Sequence, residues 1–256
     1  GMATIAFGMV GVLAAQETAR IAGFTILVSS GTLLAAVGTN RVDVTVGALF
    51  YLVSSTLAVS AFFLLIELVE RGREFGADML AVTRELFGDP EEAEAEEKAD
   101  VGIPLPATMA MLGLSFLSCA VLLAGLPPLS GFVAKFALLS GLLQSGGPGG
   151  ADAIAWSTWA FVALLILSGM AALLATTRAG ARSLWDTEGL HVPSVRVIEI
   201  APVAGLLLLC AALTVQAGPV MAYMQATAQS LHAPAAYVQD VLAAPPSLPE
   251  SLERRP

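Results

Sequence analysis

The chain has 256 residues, 56% of them hydrophobic and only 13% charged, with a mean hydropathy of +0.79. Charged residues make up about 25% of an average soluble protein, so an ordinary water-soluble domain is excluded and a membrane protein is indicated. The net charge of -9 gathers in one loop, at Glu91, Glu92, Glu94, Glu96, Glu97 and Asp100, which argues against a nucleic-acid partner and against a polybasic lipid-binding surface.

Several uncharged apolar runs approach or exceed about 18 residues, whereas the strands of a membrane barrel are about 10 residues of alternating polarity. The predicted fold is therefore all-α, a polytopic transmembrane helical bundle of about six crossings. Gly1 to Ala15 has neither a basic lead nor a small-residue cleavage pattern, and reads as a helix already under way rather than a signal peptide. Ile21 to Gly38 is the second crossing and Val44 to Val69 the third, so residues 1–70 hold three helices. In the polar segment 71–103, Phe75, Met79, Val82 and Leu86 recur at helical spacing and predict an amphipathic surface helix over Arg71 to Phe87. Asp89-Pro90 stops it, and the acidic run beyond reads as a solvated cytoplasmic loop.

Residues 104–216 carry three further helices. Within Pro104 to Gln144 the run Gly125-Leu126-Pro127-Pro128-Leu129-Ser130-Gly131 interrupts two apolar arms, so the segment is either two crossings or one broken crossing. Charge bias arbitrates. With one broken crossing, Arg20, Arg71, Arg73, Arg84, Lys98, Arg178, Arg182 and Arg196 share a side, and the other keeps Arg41 near a helix end plus Arg254 and Arg255 far out in the tail. With two crossings, Arg178, Arg182 and Arg196 part from the other basic loops. The positive-inside rule favours one discontinuous helix over 104–144, with the basic loops cytoplasmic. Ser145 to Gly150 is an outer glycine-rich turn; Trp156 to Thr177 follows, with Trp156 and Trp159 as outer interfacial anchors. Ile198 to Gln216, containing Pro202, is the sixth crossing, and residues 217–256 read as a polar outer tail without a membrane span.

Proline and glycine at Gly125, Pro127, Pro128 and Gly131 free backbone groups at membrane depth, which is tolerated only where protein buries them or water reaches them. Lys135 stands one turn past that break. A charge in hydrocarbon costs from about 3 kcal/mol upward, so Lys135 is the first functional candidate. A lysine balanced between its neutral and charged forms can load and release a proton; the alternative is a snorkelling lysine near an interface. Glu67, about one turn from the cytoplasmic end of its span, is the best acid for taking up ions, against a plain headgroup-level carboxylate beside Glu70 and Arg71. The hydroxyls Ser29, Ser54, Ser55, Ser115 and Ser118 hold water or bond to carbonyls four residues back. Cys119 and Cys210 read as small apolar packers, and His191 and His232 as solvated histidines without a metal-ligand spacing. No metal, cofactor or phosphate-binding pattern is present.

The stretch Gly125-Leu126-Pro127-Pro128-Leu129-Ser130-Gly131-Phe132-Val133-Ala134-Lys135-Phe136 closely resembles the motif of the antiporter-like subunits shared by respiratory complex I and the Mrp (Pha) multisubunit sodium/proton antiporters. Gly11 to Gln16 through Arg20, Val28 to Leu34, Tyr51 to Ala58, Tyr223 to Ala228 and Ala235 to Tyr237 resemble the Mrp D subunits in particular. The resemblance implies a discontinuous helix whose lysine, here Lys135, belongs to a proton path, and places Ser29 and Ser54 on the water path, at or near positions where family members commonly have histidines. Serines hold water but take up no proton at working pH, so a relay here depends on ordered water.

The family's first half, with its own broken helix, is not in this sequence, so the chain resembles the C-terminal half of such a subunit. What this implies is a bacterial inner-membrane, multi-pass subunit of a monovalent cation/proton antiporter, a secondary transporter rather than an enzyme. Its partners would be membrane lipid, other hydrophobic subunits, H+ and a monovalent cation, Na+ first, with no cofactor and no nucleic acid. Two alternatives stand beside it: a proton-pumping membrane-arm subunit of complex I or a related hydrogenase, and a structural membrane scaffold.

Overall fold

The computed structural model of the chain describes residues 1–87, 107–144, 156–185 and 197–243. The acidic run from Glu91 to Asp100, the Ser145 to Gly150 turn, His191, and Arg254 with Arg255 lie outside the described residues. Nine helices and no strand are found among the described residues: α1 (Met2–Ala14), α2 (Thr18–Val37), α3 (Val42–Phe87), α4 (Ala107–Ala124), α5 (Ser130–Leu143), α6 (Trp156–Trp185), α7 (Val197–Val215), α8 (Ala217–His232) and α9 (Pro234–Ala243). The all-α expectation is met.

Among the described residues three stretches are long and apolar enough to cross a membrane unaided, Thr18–Val37, Val42–Arg71 and Trp156–Arg182, and the bent pair Glu199–Val215 with Ala217–His232 makes a fourth if it is one span. The outward faces of the bundle are apolar, with Phe7, Leu34, Leu114, Leu174 and Leu208 each more than half exposed. That pattern suits a hydrocarbon solvent and not water. The amphipathic segment 71–87 is not a separate surface helix, because α3 runs on unbroken from Val42 to Phe87; neither proline nor a turn pair interrupts it before Asp89-Pro90.

α1 and α2 pack along their length as a hairpin, whereas α4 and α5 touch little and pack instead on α6 and α3 respectively. That sparse contact is what the expected discontinuous helix over 104–144 would give. One core gathers Phe62 edge-on to Phe116 (5.8 Å between centroids), with Leu122, Cys119 and Cys210, both cysteines free and buried. A second core joins Phe50, Tyr51, Leu138 and Leu165.

The stretch 217–243 differs from a tail. It forms α8 and α9, and α8 turns by 80° from α7 and packs on the second core through Ala217, Val220 and Met221. Its prolines mislead a reading from composition. Pro219 lies in the first turn of α8 and Pro234 opens α9, where a missing N–H costs no intrahelical bond. His232 is likewise no free solvated side chain: it is half-buried at the end of α8, its Nδ1 3.3 Å from the Ala228 carbonyl oxygen.

Candidate functional site

The site is built at the end of α4. A helix leaves its last four carbonyls without intrahelical partners. Here Gly125 takes the left-handed conformation (φ 75) and its N–H bonds Leu122 O at 3.2 Å, while Leu126 N–H bonds Val121 O at 3.0 Å. This is the Schellman arrangement, and it satisfies two of the four. The other two, Leu123 O and Ala124 O, accept hydrogen bonds from Lys135 Nζ at 3.1 and 2.9 Å. The lysine of α5 thus completes the cap of α4, and its charge stands at the negative end of that helix dipole.

Two glycines make the room. A methyl at Gly125 would lie 2.5 Å from Lys135 Cδ, and one at Gly169 on α6 would lie 2.7 Å from Ala124 O and 3.1 Å from Lys135 Nζ. Gly131 packs against the Leu122 carbonyl at the start of α5. Pro127 and Pro128, joined by a cis peptide bond, are exposed between the two helices.

Lys135 borders two hollows. One is a cavity of about 30 Å³ that it shares with Thr25, Ser29, Tyr51, Ser54, Ser55 and Ser168; about 10–15 Å³ suffices for one water. The other, about 220 Å³, has apolar walls that include Leu126, Phe132, Phe136, Ile166 and Met170. An ammonium has three N–H donors, so one remains beyond the two carbonyl bonds. The ion pair found among the described residues, Arg20 with Glu17 at 2.8 Å, involves neither hollow.

The structure brings together three of the four expected path residues, Lys135, Ser29 and Ser54. Glu67 is exposed on α3, thirteen positions past Ser54, about 20 Å along the helix at 1.5 Å per residue, and it does not line the cavity. Ser118 turns back to the carbonyl four residues before it, as do Thr25, Thr32 and Thr56. Tyr51, Ser130 and Ser168 join the site without any strong signal in the sequence. Tyr51 sits three residues before Ser54 on the same face of α3, and Ser130 directly precedes Gly131; both stand within the stretches that carry the family resemblance, which gave neither of them a role.

A membrane-spanning helical bundle with a lysine-capped helix break is the class that fold and site define. The chain is similar to the D subunit of a probable K+/H+ antiporter from Rhizobium meliloti, 58% identical over 96% of this chain and 45% of the relative. It is also similar to the D subunit of the Na+/H+ antiporter from Bacillus subtilis, 26% identical over 93% of this chain and 43% of that protein. A chain of the Mrp complex from Dietzia sp. shares the fold, with a TM-score of 0.67 at 19% identity over 94% of this chain and 48% of that one. No protein-family model matches the chain. It is a homologue of the antiporter D subunits and a multi-pass bacterial membrane protein, and it spans about half the length of the curated relatives it matches.

Proposed function

We propose that this chain forms part of the D subunit of a multisubunit monovalent cation/proton antiporter, and that Lys135 carries the proton at the helix break. It is a transporter component rather than an enzyme, and it works with other hydrophobic membrane subunits. The observation that supports this reading is the placement of Lys135 between a small cavity that six hydroxyl side chains help to line and a larger apolar hollow, held by two carbonyls, with no ion pair to it among the described residues. Carbonyls accept from an amine as well as from an ammonium, so the cap survives loss of the proton. A fixed carboxylate would resist that loss.

Ser29 and Ser54 hold water beside the lysine, and Glu67, at the cytoplasmic end of the α3 span, gathers protons at the surface. Gly125, Pro127, Pro128 and Gly131 supply the irregular backbone that ends α4 where a lysine can reach its carbonyls. The exchanged cation is K+ or Na+. The relative with the higher identity is named for K+, which moves K+ level with the Na+ expected from the motif. The test is cation-dependent collapse of a pH gradient in vesicles that carry the complete antiporter, with K+ and Na+ supplied separately and no electron donor. Lys135→Ala should abolish it; full activity in that variant rejects the proposal.

A further inference from the structure

Four hydroxyls near Lys135 are paired across helices. Tyr51 Oη donates to Ser29 Oγ at 3.2 Å, joining α3 to α2, and Ser54 Oγ donates to Ser130 Oγ at 2.9 Å, joining α3 to the first residue of α5. Tyr51 and Ser54, three residues apart, share one face of α3. Tyr51, Ser29 and Ser54 open on the cavity of about 30 Å³ that Lys135 closes, and Ser130 sits behind Ser54, outside the lining. Three other lining hydroxyls, Thr25, Ser55 and Ser168, donate to carbonyls of their own helices at 2.7, 3.3 and 2.9 Å.

The consequence is a small, mainly apolar chamber with polar points in its wall. Hydroxyls that donate to backbone or to each other keep oxygen lone pairs free, and the lysine adds an N–H that its two carbonyl bonds leave over. A water in the cavity would have the hydroxyl oxygens as acceptors and Lys135, which lines the same cavity, as a partner, within the two to four polar partners a buried water typically has.

Resting on the reading of Lys135 as proton carrier, we infer that Tyr51 is a relay residue and Ser130 a positioning residue of the same path. The Tyr51 hydroxyl passes protons between Ser29 and the cavity water, while Ser130 holds the Ser54 proton and so turns the Ser54 lone pairs toward that water. A protonated water at the Ser29 end supplies the entering proton; in each transfer an oxygen takes a proton on a lone pair and gives up the one it held, so the row of O–H bonds reverses direction while each oxygen keeps its proton count. The last acceptor is the neutral amine of Lys135, which becomes an ammonium.

The experiment uses the complete antiporter in inverted vesicles, reading the maximal rate of gradient collapse, the half-saturating cation concentration and the amount of assembled complex. Tyr51→Phe removes one oxygen and keeps the ring in its packing. It should lower the maximal rate at least about tenfold, with the half-saturating concentration and assembly unchanged, and Tyr51→His should restore part of the rate. Ser130→Ala should give a smaller loss. Full rate in Tyr51→Phe while Lys135→Ala is inactive overturns this inference and leaves the proposed function standing. Full rate in Lys135→Ala overturns both. A loss in Tyr51→Phe that merely follows lost assembly, with Ser130→Ala at full rate, also counts against the inference.

Discussion

Lys135 Nζ lies 2.9 Å from the Ala124 carbonyl oxygen, so the cation on α5 serves as the end of α4. One side chain therefore holds the break together and sits where a proton would be carried. The two roles separate under substitution.

Lys135→Arg keeps the charge and the donors but cannot release its proton in a protein. The complex should assemble and show an apparent melting temperature close to the unsubstituted protein, with cation-driven proton movement lost. Lys135→Ala should lose transport and also stability, because Leu123 O and Ala124 O are left without partners at about 1–3 kcal/mol for a buried unsatisfied group. Transport retained in Lys135→Arg would show that Lys135 is a cap alone.

Gly169 and Gly125 test the same geometry from the outside. Gly169→Ala places a methyl 2.7 Å from Ala124 O and 3.1 Å from Lys135 Nζ, and overpacking of this kind costs about 1–3 kcal/mol. The outcome expected is a lower melting temperature of the detergent-solubilised complex together with reduced transport, since the lysine is pushed off its carbonyls. Gly125→Ala should be worse, because the left-handed backbone at φ 75 adds about 1–2 kcal/mol for a residue with a Cβ. If both variants match the unsubstituted protein in melting and rate, the close approach at the lysine is not real.

The break and its lysine were legible in sequence because both break strong local rules: prolines and glycines inside an apolar run, then a charge. Charge bias across the loops favoured one discontinuous helix over two crossings, and α4 and α5 touch little. The cap was not legible. Nothing in the sequence says that Leu123 O and Ala124 O are the acceptors, since that depends on the angle at which α5 leaves the break. Tyr51 was hidden for a different reason: a tyrosine among apolar residues looks like a packing residue, and its hydroxyl gains meaning only from Ser29 on another helix. α8 was hidden because Pro219, Gln225 and Gln229 lower its apolar content below that of a span.

Two arginines repeat the device that Lys135 uses. Arg41 donates through Nη2 to Gly141 O at 2.8 Å and through Nη1 to Leu142 O at 3.2 Å, at the end of α5. Arg178 on α6 donates through one nitrogen, Nη2, to Leu13 O and Ala15 O, both at 2.8 Å, at the end of α1. The difference in fork use predicts a difference in tolerance. Lysine should replace Arg178 with little effect, since one nitrogen already serves both carbonyls, but should replace Arg41 poorly, because Arg41 uses two nitrogens of a rigid fork. Alanine at either position should cost about 1 kcal/mol or more, read as a lower melting temperature. Equal tolerance of lysine at both sites would refute the fork argument.

Glu67 gives the prediction with the most distinctive signature. It is exposed and stands about 20 Å along α3 from Ser54, at 1.5 Å per residue, too far to take part in any transfer at the lysine. In the proposed reading its influence is a field at the cytoplasmic mouth, raising the local proton concentration. Such a field is screened beyond the Debye length, about 30 Å at 0.01 M salt and about 8 Å at 0.15 M. Glu67→Gln should slow transport at low ionic strength, and the difference from the unsubstituted complex should close as an inert salt is raised to physiological strength. Lys135→Ala should stay inactive throughout that titration, because a missing carrier is not restored by screening. A Glu67→Gln defect that is equally deep at both ionic strengths would place the carboxylate in the transfer chain itself, through a rearrangement that brings α3 and the break together.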